Sequence, residues 1–271
     1  MKTVIVGGVA GGMSAATRLR RLDETAQIVV FERGPHVSYA NCGLPYFVGG
    51  VIHDRSSLLL QTPRSLAARF RLDVRTGHEV LSIDAAGRTV RVLDLASGDT
   101  VVESYDELIL AVGASARAAV GHSSIPTRTL RTVEDVDAID LLVAAAGEQP
   151  SALVVGGGFI GLEAVENLVR RGIRVTLAQR GPYLLSPLDP EMVAPVEARL
   201  RGHDVDVRTS VTIDAVDGDA VLLSDGDVLR PDFIIDASGV APSVDLARSA
   251  GLRLGPTGGI AVDANNRTSD A

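Results

Sequence analysis

Cys42 is the single cysteine in a chain of 271 residues, and it stands between two glycine runs, Gly7 to Gly12 and Gly156 to Gly161. A lone thiol has no partner in its own chain. It can cycle only against an external thiol, as a mixed disulfide, or against oxygen, as a sulfenic acid. Ser38 and Asn41 precede it and Gly43-Leu44-Pro45 follow, a setting in which oriented N–H donors could hold a thiolate. The competing reading is a buried structural cysteine, the commoner fate of a free thiol.

The glycine runs suggest what would feed the thiol. A glycine turn between a strand and a helix lets the backbone approach a pyrophosphate closely while the helix aims its unpaired N–H groups at the charge. Val4-Ile5-Val6 precedes the first run, and Met13 to Leu22 follows with apolar residues at Ala15, Leu19 and Leu22, a helical period. Val9 stands where the middle glycine of G-x-G-x-x-G is expected. The strand Ile28 to Phe31 then presents Glu32, twenty residues past Gly12, where a carboxylate can bond ribose hydroxyls. Taken alone, this copy also fits a glycine-rich turn in an ordinary parallel α/β protein.

The second copy matches in full. Gly156, Gly158 and Gly161 follow the strand Ala152 to Val155 and open a helix with Leu162, Val165, Leu168 and Val169 inward, ended by Gly172. The repeat extends to a closing strand, because Tyr105 to Gly113 aligns with Pro231 to Gly239, with Asp, Ala and Gly in register. Between motif and closing strand each half carries hairpin signals: Ala86-Gly87 and Ser97-Gly98-Asp99 in one, Asp217-Gly218-Asp219 and Asp225-Gly226-Asp227 in the other. These aspartates lack the order and closing Glu of a calcium loop. Two dinucleotides on one chain mean electron traffic between carriers, with Cys42 as the exit. At the end of the second copy's ribose strand stands Gln179, followed by Arg180. An acid there would repel a 2'-phosphate, so NADPH is expected to be accepted at least as well as NADH.

Composition narrows the alternatives. A net charge of −8 offers no footprint for nucleic acid or anionic membrane, and no 18-residue apolar stretch occurs. One cysteine excludes a disulfide framework and a multi-cysteine zinc site, and fits a reducing, cytoplasmic compartment. His36, His53, His78, His122 and His203 have no metal spacing. Thr132 to Asp135 reads as a capping box opening a helix over Val136 to Ala146.

With these residues in view, the chain resembles the two-dinucleotide-binding-domain flavoproteins, the pyridine nucleotide-disulfide oxidoreductases. Ser38-Tyr39-Ala40-Asn41-Cys42-Gly43-Leu44-Pro45-Tyr46 resembles the single-cysteine motif of the coenzyme A disulfide reductases and the related NADH oxidases and peroxidases, and Thr62-Pro63 is a further landmark. The resemblance implies an α/β fold of two Rossmann-like domains, each a parallel sheet with helices and an antiparallel β meander. It implies an FAD domain over 1–115, an NAD(P)H domain over 116–236 that is continuous and folds by itself, and a return to the FAD domain over 237–271. It implies cofactor contacts at Gly7, Gly8, Ala10, Gly11, Gly12, Glu32, Arg33, Asn41, Val80, Ala111, Gly113, Gly156, Gly158, Phe159, Ile160, Gly161, Glu163, Gln179, Arg180 and Gly239. Substrate contacts are implied at Ser14, Arg18, Arg21, Ser38 and Asn41, with Ser14, Arg18 and Arg21 one stripe on the first helix. The same arginines, with Arg20, Asp23 and Glu24, also describe an ordinary solvated face.

What the resemblance implies is FAD-dependent NAD(P)H oxidation, with electrons passing through the flavin to Cys42 and on to a disulfide such as coenzyme A disulfide. NADH oxidase or persulfide and polysulfide reduction are the related alternatives; an inactive nucleotide-binding fragment and an electron-transfer reductase serving an iron-sulfur protein are the distant ones. Two positions depart from the patterns of relatives. Ala10 stands where the peroxidases carry a histidine, and Phe70 stands where a substrate-contact lysine is expected. The chain also stops after Thr268-Ser269-Asp270, where relatives continue into a Gly-Asp motif and a dimerisation domain. A fragment of a homodimeric parent, binding FAD weakly, is the expectation.

Overall fold

The computed structural model describes residues 1–121 and 123–270; His122 and Ala271, the last residue of the expected return segment, lie outside the described residues. The chain forms two compact units. The first comprises Met1–Tyr39, Leu59–Ser115 and Ala241–Ala271, and the second comprises Ala40–Leu58 and Ala116–Val240.

The first unit opens with β1 (Lys2–Val6), α1 (Ala10–Leu22) and β2 (Gln27–Glu32). In the second unit a 3-10 turn over Asn41–Gly43 runs into α2 (Leu44–Val48). The first unit resumes with α3 (Pro63–Phe70), β3 (Asp73–Thr76), β4 (His78–Asp84), β5 (Thr89–Asp94), β6 (Thr100–Ser104), β7 (Glu107–Leu110) and β8 (Ala114–Ala116). The second continues with β9 (Thr127–Arg128), α4 (Val133–Ala145), β10 (Ser151–Val155), α5 (Phe159–Arg170), β11 (Arg174–Gln179), α6 (Pro190–Arg201) and β12 (Asp206–Thr209). Then come β13 (Ile213–Asp217), β14 (Ala220–Leu223), β15 (Val228–Leu229) and β16 (Phe233–Asp236), and β17 (Val240–Pro242) leads to α7 (Asp245–Ser249).

Each unit carries a wholly parallel sheet, in the order β3-β2-β1-β7 in the first and β12-β11-β10-β16-β9 in the second. Parallel strands covered on both faces read as continuous apolar runs, and Val4-Ile5-Val6 and Leu153-Val154-Val155 are buried accordingly. Each such side chain contributes about 1.5–3 kcal/mol on leaving water. The hairpin signals all fall between antiparallel strands, in the meanders β4-β5-β6 and β13-β14-β15. The fold class is therefore the one the sequence predicts: two Rossmann-like α/β domains, each a parallel sheet with helices and an antiparallel meander.

Three local expectations need correction. Helix α1 begins at Ala10, inside the glycine run, and buries Gly12, Met13, Ala16 and Arg20, while Leu22 is 66% exposed. Arg20 turns inward because its guanidinium donates to four carbonyls, those of Phe70 (2.8 Å), Arg71 (3.0 Å), Asp23 (3.2 Å) and Glu24 (2.8 Å). Helix α4 starts at Val133, directly after its cap Thr132, whose hydroxyl accepts from the Asp135 N–H at 3.1 Å. The segment Ala40–Leu58 belongs to the second unit, so that unit is not one continuous stretch. The reason is packing: α2 lies against α4 and α5.

Candidate functional site

In the first unit, the turn after β1 is shaped by backbone crowding. Gly7 has φ +104°, and a β-carbon there would run into the Ala111 carbonyl; one on Gly12 would run into the Gly7 carbonyl. A β-carbon on Gly8 would meet Val37 and Glu32, and the Gly8 N–H donates to Glu32 Oε2 at 2.7 Å. The other carboxylate oxygen accepts from Gly34 at 2.7 Å. Glu32 thus reaches the turn from the end of β2.

The second unit repeats most of this geometry. Gly156 also has φ +104° and meets the Ala237 carbonyl, and Gly161 meets the Gly156 carbonyl. Gly7 donates to Phe31 O and Gly156 to Ala178 O, both at 2.8 Å. Ser38 donates to Gly8 O at 3.0 Å and Leu185 to Gly157 O at 2.8 Å, and both residues adopt left-handed backbone, φ 49° and 44°. The sequence alignment of the closing strands holds at its side chains: Asp106 accepts from the Lys2 N–H at 2.6 Å and Asp232 from the Ser151 N–H at 2.8 Å. Gly113 and Gly239 end both strands with positive φ.

The middle position explains Val9. Gly158 has nothing within 4 Å of where a β-carbon would stand, so a side chain at this point costs the fold nothing. Val9 and Gly158 are the N-caps of α1 and α5, and neither helix has a side-chain cap or an acid in its first turn. Helices α3 and α4, by contrast, are closed by capping boxes at Thr62 and Thr132. Two helix N-termini at glycine turns are thus left without a side-chain cap, the arrangement in which backbone N–H groups are free for an anion. Ala10 and Gly11 are exposed at the first of these, and Gly158, Phe159 and Ile160 at the second. Phe159 is 61% exposed, a large apolar surface beside the open N-terminus.

Other expected cofactor contacts fall less evenly. Arg33 is exposed and paired with Glu79 at 3.5 Å. Val80 is spent in the core with Val4, Val6, Val29, Phe31, Val90 and Val92, leaving only its backbone for a ligand. Glu163 is the fifth residue of α5 and lies past the first turn, where the helix dipole does little for its charge. Burial, with repulsion from Glu166, pushes its carboxyl above the usual value. Gln179 accepts from Gly157 at 2.9 Å and donates to Tyr183 O at 3.2 Å. Arg180 is exposed.

Cys42 is exposed in the second unit, on the turn before α2. It is not the buried structural cysteine of the competing reading. The N–H groups that follow it are engaged by backbone, Gly43 with Ala40 O at 2.9 Å and Leu44 with Asn41 O. Asn41 is exposed beside it. In the first unit, Ser14, Arg18 and Arg21 share one exposed face of α1, and Phe70 packs against the core with Arg69 5.1 Å above its ring. Among the described residues no cluster could hold a metal ion, and no helix is long and apolar enough to cross a membrane.

Comparison with known proteins agrees with this geometry. The pyridine nucleotide-disulphide oxidoreductase family profile matches residues 1–271. The chain belongs to this family. A coenzyme A disulfide reductase of Staphylococcus aureus is 38% identical over 262 residues, 97% of this chain and 59% of that protein. The crystal structure of reduced Bacillus anthracis CoADR-RHD superposes with a TM-score of 0.94 at 43% identity, covering 99% of this chain and 49% of the other. An NAD-dependent persulfide reductase from A. fulgidus gives 0.94 at 33% identity, over 100% of this chain and 52% of the other. The chain thus spans about three fifths of the length of the curated relatives it matches.

Within this member of the family several structural roles were not visible in the sequence. Leu185 and Ser38 hold the outer lip of each glycine turn, yet nothing in their residue types announces a left-handed backbone. Asn167 and Arg171, which meet the segment carrying Cys42 at Gly49 and Val48, lie far from it in sequence. Asp236 is buried and accepts from Ala119 (2.8 Å), Val120 (3.1 Å) and Ser238 (3.1 Å), pinning the segment after β8 to β16.

Proposed function

We propose that this chain is the two-nucleotide part of an FAD-dependent NAD(P)H oxidoreductase in which Cys42 reduces a small-molecule disulfide such as coenzyme A disulfide. The first unit takes FAD and the second NAD(P)H. The observation that carries this reading is the pairing of two open, acid-free helix N-termini with one exposed thiol. FAD, when bound, supplies a carrier between a two-electron hydride donor and sulfur.

The chain's own residues account for the rest. Cys42 as thiolate attacks one sulfur of the disulfide; the other sulfur leaves and takes a proton, so one thiol is released and a mixed disulfide forms at Cys42. Two electrons and one proton then cleave that bond, releasing the second thiol and restoring the thiolate. Arg18 and Arg21, on the exposed stripe with Ser14, offer two guanidinium groups to the phosphates of a coenzyme A substrate. Exposure of Cys42 suits a persulfide equally, and the resemblance to a persulfide reductase supports that second reading.

The test is Cys42→Ser in the FAD-loaded full-length parent. Loss of disulfide reduction, together with loss of the long-wavelength thiolate-to-flavin band after two-electron reduction, is expected; undiminished disulfide turnover would overturn the reading.

A further inference from the structure

The segment carrying Cys42 is clamped from the opposite end by the helix that opens at the second glycine turn. Asn41 to Val48 is an unbroken helical run, a 3-10 turn followed by α2. At its far end Arg171, the C-cap of α5, donates through Nη1 to Val48 O at 2.8 Å and to Asp140 of α4 at 2.9 Å. Gly49, the C-cap of α2, lies so close to Asn167 of α5 that a β-carbon would collide with its side chain. Asn167 is buried, donates to Glu163 O at 2.8 Å, and leaves Oδ1 with no hydrogen-bond partner. Beyond α2, Arg55 forms a bidentate pair with Asp137 of α4, at 2.7 and 2.6 Å.

We infer that Arg171 and the Gly49–Asn167 contact are positioning groups that set where Cys42 stands relative to the coenzyme helix. The inference rests on the reading of Cys42 as the redox thiol. One helix, α5, carries an open N-terminus for phosphate at one end and this clamp at the other. Because Asn41 to Val48 is one short rod, a shift imposed at Gly49 moves Cys42 with it. The clamp's contribution to stability is small, since a half-exposed ion pair adds little. Its effect on reaction is larger, because a misplacement of about 1 Å costs roughly a hundredfold in rate.

The experiment compares Arg171→Met, Arg171→Lys and Gly49→Ala with the parent and with Cys42→Ser, all FAD-loaded. Cys42 is the single cysteine, so its labelling by an aromatic disulfide reagent in the absence of coenzyme reports its position directly. The expected result for Arg171→Met and Gly49→Ala is labelling about threefold faster and disulfide kcat down by about tenfold or more. The KM for NADPH and the reduction of ferricyanide, an acceptor that bypasses the thiol, stay within about twofold. Arg171→Lys, which keeps a cation for Asp140, recovers part of the loss. Labelling and kcat unchanged in both variants would overturn the inference, as would equal loss with both acceptors or failure of both variants to fold. Disulfide turnover surviving in Cys42→Ser would instead overturn the reading on which the inference rests.

Discussion

Gln179 accepts the Gly157 N–H through its side-chain oxygen at 2.9 Å, the bond that Glu32 makes to Gly8 in the first unit. The two strand ends are therefore geometrically alike and differ in charge. A carboxylate at the second position would repel a 2'-phosphate, and the amide does not. Arg180 follows, exposed. NADPH is expected to give a kcat/KM at least equal to that of NADH. Gln179→Glu should shift the ratio toward NADH by about tenfold, equivalent to about 1.4 kcal/mol. A strong preference of the parent for NADH would contradict this.

The glycines of one turn divide into two kinds. Gly161→Ala forces a β-carbon onto the Gly156 carbonyl, an overpacking worth about 1–3 kcal/mol, and should lower the melting temperature by several degrees. Gly158→Ala enters open space and should leave the melting temperature within about 2 °C while raising the KM for coenzyme. Equal melting of the two variants would show that crowding does not shape this turn.

Glu163 sets a pH signature. Its carboxyl lies above its ordinary value of 4.5, through burial first and Glu166 second. The folded state therefore prefers the protonated acid, and the penalty on ionisation is absent below the ordinary value and grows as pH rises through the folded one. Glu163→Gln should melt with the parent near pH ~4 and above it near pH ~8. Coincident melting across that range would show that ionised Glu163 carries no penalty.

Arg20 is a structural arginine. Arg20→Met leaves the carbonyls of Phe70 and Glu24 without their donor and should cost about 3 kcal/mol, while Arg18→Met on the exposed stripe should leave stability unchanged. Thermal denaturation of the two variants separates them; equal stability would return Arg20 to the solvated face.

Both glycine turns, the closing strands and the hairpins were legible because each is dictated locally, by a backbone position only glycine tolerates or by an unbroken apolar run. Val9 departs from the glycine pattern at a point where the fold makes no demand, since its counterpart Gly158 has open space where a β-carbon would stand. The inward turn of Arg20 was illegible because its carbonyl partners at Phe70 and Arg71 are about fifty residues away. The assignment of Ala40–Leu58 to the second unit failed to show for the same reason, since Arg55 and Asp137 are 82 residues apart.

That placement makes two separated stretches of sequence a single unit of exchange. The thiol segment is encoded between β2 and α3, while its supports α4 and α5 come far later in the chain. Recombination that replaced residues 116–240 as one block would set a foreign α5 beneath the resident α2, where Gly49 must meet the residue at 167 without collision. The seat of the Cys42 segment is in this way inherited in two pieces: a replaced second unit keeps the packing of α2 on α4 and α5 only when residues 40–58 travel with it.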